Sequence, residues 1–148
     1  MVTVYYADTS AVVRVFFADE PEHAELRDLL ASGRNRVLTS ELTRIEFASA
    51  MAAAKRSGRI PDAREFLDQF DAMSRSSTLG VIPFRPARVF PAAQRLVVEN
   101  YSLRTLDALH LAVVMRETAD LTGGEPVTVV TCDARQADAA KANGLLVR

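Results

Sequence analysis

Short β-branched runs alternate with stretches of helical periodicity along the whole chain. That alternation limits the fold more than any other feature. Val2–Ala7, Arg36–Thr39, Leu79–Phe84, Val127–Thr131 and Leu145–Val147 read as strands. A helix is expected behind Asp8-Thr9-Ser10, with Ala11, Val12, Val15 and Phe16 at helical spacing. Pro21 opens a second helix to about Ala31, with Leu26, Leu29 and Leu30 inward. Ser40 caps a long helix from Glu41 to about Arg56, ended by Gly58. Pro61 begins another, in which Phe66, Phe70 and Met73 form one stripe. Pro86 to Asn100 has helical pattern, with Pro91 expected in the first turn or at a kink. A further helix runs from Ser102–Thr105 to about Thr118, and Gly123-Gly124 then breaks the chain. Ala134–Asn143 is the last helix, stopped by Gly144. Strands separated by helices require right-handed crossovers and a mainly parallel sheet covered on both faces. The 148 residues fit one such α/β domain, spanning 1–148.

Two of the strands echo each other. Val2-Thr3-Val4-Tyr5-Tyr6-Ala7-Asp8 resembles Val127-Thr128-Val129-Val130-Thr131-Cys132-Asp133. Both are buried-type strands that end in an aspartate ahead of a helix. Parallel sheets bind ligands beyond the carboxyl ends of their strands, where the strand order switches. If these strands are neighbours, Asp8 and Asp133 converge there. Singly, each aspartate is explained equally well as a helix cap.

Two more carboxylates stand out. Asp107 lies in Thr105-Leu106-Asp107-Ala108-Leu109-His110-Leu111-Ala112, with apolar neighbours on nearly every side. Its place in a first helical turn also suits the helix dipole. Glu46 sits between Ile45 and Phe47 in a helix that becomes small and apolar toward its end. An inward carboxylate there is costly unless paired or metal-bound. From spacing alone, an outward Glu46, solvated or paired with an arginine, explains the pattern equally well. Converging carboxylates repel one another, and Mg²⁺ or Mn²⁺ resolves the repulsion through hard oxygen ligands. Zinc fits poorly, with one cysteine and with His23 and His110 far apart in sequence.

At these residues the chain resembles the PIN-domain nucleases, specifically the VapC-type toxins of toxin–antitoxin pairs. The matching pieces are Asp8-Thr9-Ser10-Ala11, Glu46 on the long third helix, Leu103 through Ala112, and Thr131-Cys132-Asp133. Their order covers essentially the whole chain. The resemblance implies a three-layer α/β/α PIN-like fold with a mainly parallel central sheet. It implies Mg²⁺- or Mn²⁺-dependent cleavage of RNA, an antitoxin protein that blocks the site, and a homodimer. By position, Asp8, Glu46 and Asp107 look like the core metal ligands, and Asp133 like a more variable fourth acid, acting directly or through water. Thr9, Ser10 and Thr131 would be polar groups supporting them. In the resembled family the helix pair Glu41–Arg56 and Asp62–Ser74 forms part of the groove that grips an antitoxin helix.

The other polar residues have plainer readings. His110, three residues after Asp107, is read as a packed histidine that hydrogen-bonds in the core, although a general-base role would also suit its position. His23 is read as solvated. Arg14 is placed to contact phosphate or antitoxin, or to form a surface salt pair. Cys132 is read as a small buried apolar residue of the fourth strand. The net charge of −1 runs against a dedicated nucleic-acid binder. The cations are nearly all arginine, Lys55 and Lys141 being the only lysines, and base composition explains that at least as simply as phosphate binding does. No apolar run approaches the ~20 residues of a membrane span, and no signal peptide is legible, so the cytosol is the expected compartment. Two other functions share parts of the pattern. One is a Mg²⁺-dependent phosphatase or phosphotransfer domain with Asp8 as covalent nucleophile. It is disfavoured by Ser10 where the common signature has a second aspartate. The other is a non-catalytic binding module that kept the fold.

Overall fold

The computed structural model describes residues 2–100 and 102–148. Five strands form one sheet: β1 (Val4–Ala7), β2 (Arg36–Ser40), β3 (Gly80–Ile82), β4 (Val127–Val130) and β5 (Leu146–Val147). All are parallel, in the order β3-β2-β1-β4-β5. Eight helices join them among the described residues: α1 (Thr9–Phe16), α2 (His23–Ala31), α3 (Glu41–Arg56), α4 (Ala63–Arg75), α5 (Pro86–Glu99), α6 (Thr105–Glu117), α7 (Ala119–Thr122) and α8 (Ala134–Ala142).

Successive strand residues point to opposite faces, and β1 feeds both halves of the core. Val4 and Tyr6 pack with Leu96, Leu111 and Ala140, beneath α5, α6 and α8. Tyr5 and Ala7 pack with Val12, Leu30, Phe47 and Phe70, beneath α1 to α4. The result is the expected three-layer α/β/α arrangement. Central strands β1 and β4 are almost wholly buried, which accounts for their unbroken apolar sequence.

Several boundaries differ from expectation for identifiable reasons. α2 starts at His23 rather than Pro21, because Glu22 takes a left-handed conformation (φ 63°) just before it. α4 starts at Ala63 because Asp62 supplies the cap, its carboxylate accepting from Arg64 N at 3.0 Å. β1, β3, β4 and β5 are shorter than their expected runs, since Val2, Thr3, Leu79, Pro83, Phe84, Thr131 and Leu145 have no opposing strand residue. Pro91 lies inside α5, beyond its first turn, where it forfeits one backbone bond. The four-residue α7 is too short to show a period in sequence. Cys132 falls outside β4, half-buried in the turn that follows it. Of the apolar residues on the α3–α4 pair, Phe47, Met51 and Phe70 are core, whereas Ile45 is 75% exposed.

Candidate metal centre

β1 and β4 lie side by side with Ala7 opposite Val130, so the two echoing strands are neighbours. The chain leaves β1 toward β2 on one side, and β4 closes on the other. This seam is where the strand order switches. Asp8 emerges from it 3% exposed, its own N–H donating to Val130 O at 3.2 Å. Both carboxylate oxygens are served. Oδ1 accepts from Ser10 Oγ at 2.6 Å and from Ala11 N at 3.0 Å. Oδ2 accepts from Thr131 Oγ1 at 2.5 Å.

The two hydroxyls are themselves oriented by β4's outgoing backbone. Cys132 N donates to Ser10 Oγ at 3.0 Å, and Asp133 N donates to Thr131 Oγ1 at 3.1 Å. Each hydroxyl accepts from the backbone and spends its own proton on Asp8. The bland account of Asp8 as a helix cap is therefore true but incomplete. Burial pushes its carboxyl above the ordinary range, against the Ser10, Thr131 and Ala11 bonds and the His110 ring, which pull it down.

Asp107 enters from the first turn of α6, half-buried. Among the described residues, its Oδ2 is the one buried side-chain oxygen or nitrogen without a hydrogen-bond partner. Burial raises the Asp107 carboxyl, and the charges of Asp133 and Asp8 raise it further. Asp133 caps α8, accepting from Arg135 N at 2.9 Å and Gln136 N at 3.4 Å, and remains half-buried. Asp8, Asp107 and Asp133 thus share one electrostatic neighbourhood.

Glu46 points inward from the second turn of α3, and its side chain is 25% exposed. Among the described residues it pairs with no arginine. Its Oε1 accepts from Thr9 Oγ1 at 2.9 Å and faces His110 Nε2 at 2.6 Å. Burial raises the Glu46 carboxyl, but the His110 bond and charge and the Thr9 hydroxyl together outweigh it, so the net displacement is downward. His110 is 2% exposed and a core hydrogen-bonder, as its apolar helix suggested, with Tyr6 Oη 2.7 Å from Nδ1.

Among the described residues, no three His, Cys, Asp or Glu side chains are gathered closely enough to hold an ion by themselves. The donor chemistry nevertheless fits a hard divalent cation. Carboxylate oxygens dominate, one of them is buried and unpartnered, and burial pushes up two of the carboxyls, Asp107 also through the charges of Asp133 and Asp8.

Three contributors carry no clear sequence signal. Gln136 is 1% exposed, with Oε1 3.3 Å from Thr131 Oγ1 and Nε2 donating to the Asp107 carbonyl at 3.5 Å, so it stands between the turn after β4 and α6. Thr39 and Thr43, both fully buried, form a hydroxyl chain from Ala7 O to Thr9. Arg14 is occupied by Glu20 and Glu22 at 4.0 and 3.7 Å. His23 is not simply solvated, because its Nδ1 lies 2.7 Å from Arg14 O.

The PIN domain family model matches residues 5–142. The chain belongs to the PIN domain family. Within that family, curated relatives from Mycobacterium tuberculosis carry the name ribonuclease VapC. Ribonuclease VapC46 is 33% identical over 146 residues, covering 96% of this chain and 94% of its own. Ribonuclease VapC35 is 35% identical over 149 residues, at 96% and 93% coverage. Solved PIN-type structures share the fold at low identity. VapC20 of M. tuberculosis superposes with a TM-score of 0.64 at 18% identity, covering 97% of each chain. A chain of VapBC2 from Rickettsia felis gives 0.63 at 17%, covering 99% of this chain and 98% of that one.

Proposed function

We propose that this PIN-domain protein is a metal-dependent endoribonuclease that acts as the toxin of a toxin–antitoxin pair. The unpartnered, buried Asp107 Oδ2 beside the buried Asp8 carboxylate is the observation that carries the metal site. The ribonuclease names of relatives that match nearly end to end support the reaction class. Asp8 and Asp107 are assigned as carboxylates facing Mg²⁺ or Mn²⁺, with Glu46 and Asp133 completing the set directly or through water. Magnesium is commonly held by one or two carboxylates with waters filling the rest. When bound, the ion supplies charge for the scissile phosphate and lowers the pKa of an attacking water.

The protein's own groups do the positioning. Ser10 and Thr131 fix both oxygens of Asp8, and Thr9 fixes Oε1 of Glu46. Arg104 at the head of α6 and Arg135 in the first turn of α8 flank the acids, exposed and outside every described ion pair. They are assigned to the phosphates on either side of the cut. The aspartyl-phosphate alternative lacks support two residues after Asp8, where Ser10 stands in place of a second aspartate. Lys55 and Lys141 also lie in the last turns of α3 and α8, away from the strand ends where those helices begin.

The antitoxin is assigned to the cleft of about 400 Å³ between α1, α2 and α4, lined by Val15, Phe16, His23 and Met73. A structure of VapBC2 from Rickettsia felis is described as bound to a DNA fragment from their promoter, and other fold neighbours are VapBC or toxin–antitoxin complexes. Homodimerisation is assigned to the exposed apolar side of α5 and α6, where Phe90, Val97 and Leu106 are 53%, 42% and 46% exposed. No helix among the described residues is long and apolar enough to cross a membrane, and a cytoplasmic location is part of the proposal.

The test is cleavage of RNA by the purified chain with Mg²⁺ or Mn²⁺, and its arrest by EDTA. Asp8→Asn is expected to fold and to lose cleavage. A pure, folded Asp8→Asn sample that cleaves at the wild-type rate would overturn the assignment.

A further inference from the structure

Resting on the metal-site reading above, we infer that His110 and Tyr6 are positioning residues. They hold the Glu46 carboxylate so that Oε1 is closed and Oε2 alone is presented to the ion's coordination sphere. The inference starts from an asymmetry in how Glu46 is bonded. Both of its side-chain partners, Thr9 Oγ1 at 2.9 Å and His110 Nε2 at 2.6 Å, converge on the same oxygen.

The proton placement along this chain is determined step by step. An ionised carboxylate can only accept, so His110 Nε2 carries the proton it shares with Glu46. With the ring proton on Nε2, Nδ1 is the acceptor, and Tyr6 Oη donates to it at 2.7 Å. The sequence Tyr6→His110→Glu46 is therefore directional, and each member is oriented by the one before it. Its members come from β1, from α6 and from α3, so the carboxylate is fixed against two other elements of the fold at once. Tyr6 is fully buried and His110 nearly so, which denies them water as a substitute partner.

A histidine that merely fills space would need no such partner order. Supporting hydrogen bonds of this kind fix ligand orientation, and losing one commonly costs about 10–100-fold in metal affinity or activity. Two conservative substitutions separate positioning from packing. The amide nitrogen of glutamine stands near the histidine Nε2 position, whereas that of asparagine stands near Nδ1. His110→Gln therefore keeps a donor for Glu46, and His110→Asn removes it. Tyr6→Phe removes the group that directs the histidine proton.

The experiment is Mn²⁺ titration by calorimetry on the full chain, without RNA, together with steady-state cleavage and thermal unfolding in EDTA. For His110→Asn the expected result is Mn²⁺ affinity weakened by about 10–100-fold. Its kcat should fall while KM for RNA stays within about twofold of wild type. His110→Gln should recover most of the affinity, and Tyr6→Phe should fall between. Equal Mn²⁺ affinity in wild type and His110→Asn would overturn the proposal. So would equal losses in the Gln and Asn variants, since that is the signature of packing alone. Wild-type protein that binds no Mn²⁺ would instead remove the metal-site reading on which the proposal rests.

Discussion

Thr131 donates to Asp8 Oδ2 at 2.5 Å across the β1–β4 seam, while its own oxygen accepts from Asp133 N at 3.1 Å. One hydroxyl thus ties the first acid of the site to the backbone of the last. Thr131→Val is nearly isosteric and removes both bonds. It should cost about 1–3 kcal/mol, the penalty for leaving a buried polar partner unmade. Urea unfolding measures the loss, and Thr131→Ser should restore it. A Thr131→Val protein as stable and as active as wild type would show that the hydroxyl is dispensable.

Asp107 and Asp8 each contribute a pH-dependent term to the stability of the metal-free protein. Burial raises both carboxyls, and neighbouring acids add to the rise at Asp107. A folded-state pKa above the unfolded one means that the contribution to stability is full below the unfolded value near 3.9. It is lost as pH rises through the folded value. Asp107→Asn removes one such term. In EDTA at pH 7 the variant should therefore melt above wild type, and the gap should close on acidification toward pH 4. Added Mn²⁺ should stabilise wild type and leave the variant nearly unmoved. A variant that melts below wild type in EDTA would contradict this account of the site.

Arg104 and Arg135 address the net charge of −1. RNA grip requires local rather than global positive charge, and these two side chains flank the acids without a described ion pair. Arg104→Ala and Arg135→Ala should each raise KM with little change in kcat. Each should also flatten the dependence of log affinity on log salt by about one charge. Binding of a non-cleavable RNA, measured at several salt concentrations, reads this directly. An unchanged slope in both variants would place the RNA elsewhere.

Glu117 provides a control far from the chemistry. Its carboxylate is fully buried at the end of α6, gripped by both Nε and a terminal nitrogen of Arg85, with Arg88 Nε at 3.4 Å. Arg85→Ala leaves that buried charge with one distant partner. Stability should fall by about 2–4 kcal/mol, somewhat under the usual figure for a broken buried pair because Arg85 itself is half-exposed. The kcat of the folded fraction should stay at the wild-type level at low temperature. A drop in kcat without a drop in stability would mean that the α6 terminus communicates with the site.

Asp8 and Asp133 were legible from the sequence because a local rule exposes them. Each ends a buried strand ahead of a helix, and the strand echo placed both on one edge. Asp107 was legible from its contrast with an apolar helix. Glu46 was ambiguous because helical spacing alone does not tell an inner face from a boundary face when the flanking residues, Ile45 and Phe47, are both apolar. In the fold Ile45 is 75% exposed and Phe47 is fully buried, and Glu46 lies at the boundary between them.

The sequence by itself determined the strand–helix alternation, the parallel sheet and the acids at its carboxyl edge, because period, capping and turn chemistry act over a few residues. Only the tertiary structure decided which oxygen bonds which donor. Tyr6 and His110 are 104 residues apart, and Thr131 and Asp8 are 123 apart. Such pairs exist only after β1 has docked between β2 and β4 and α6 has packed on the sheet. No local pattern records them. The acidic edge is therefore a property of the sequence, and its hydrogen-bonded order is a property of the fold.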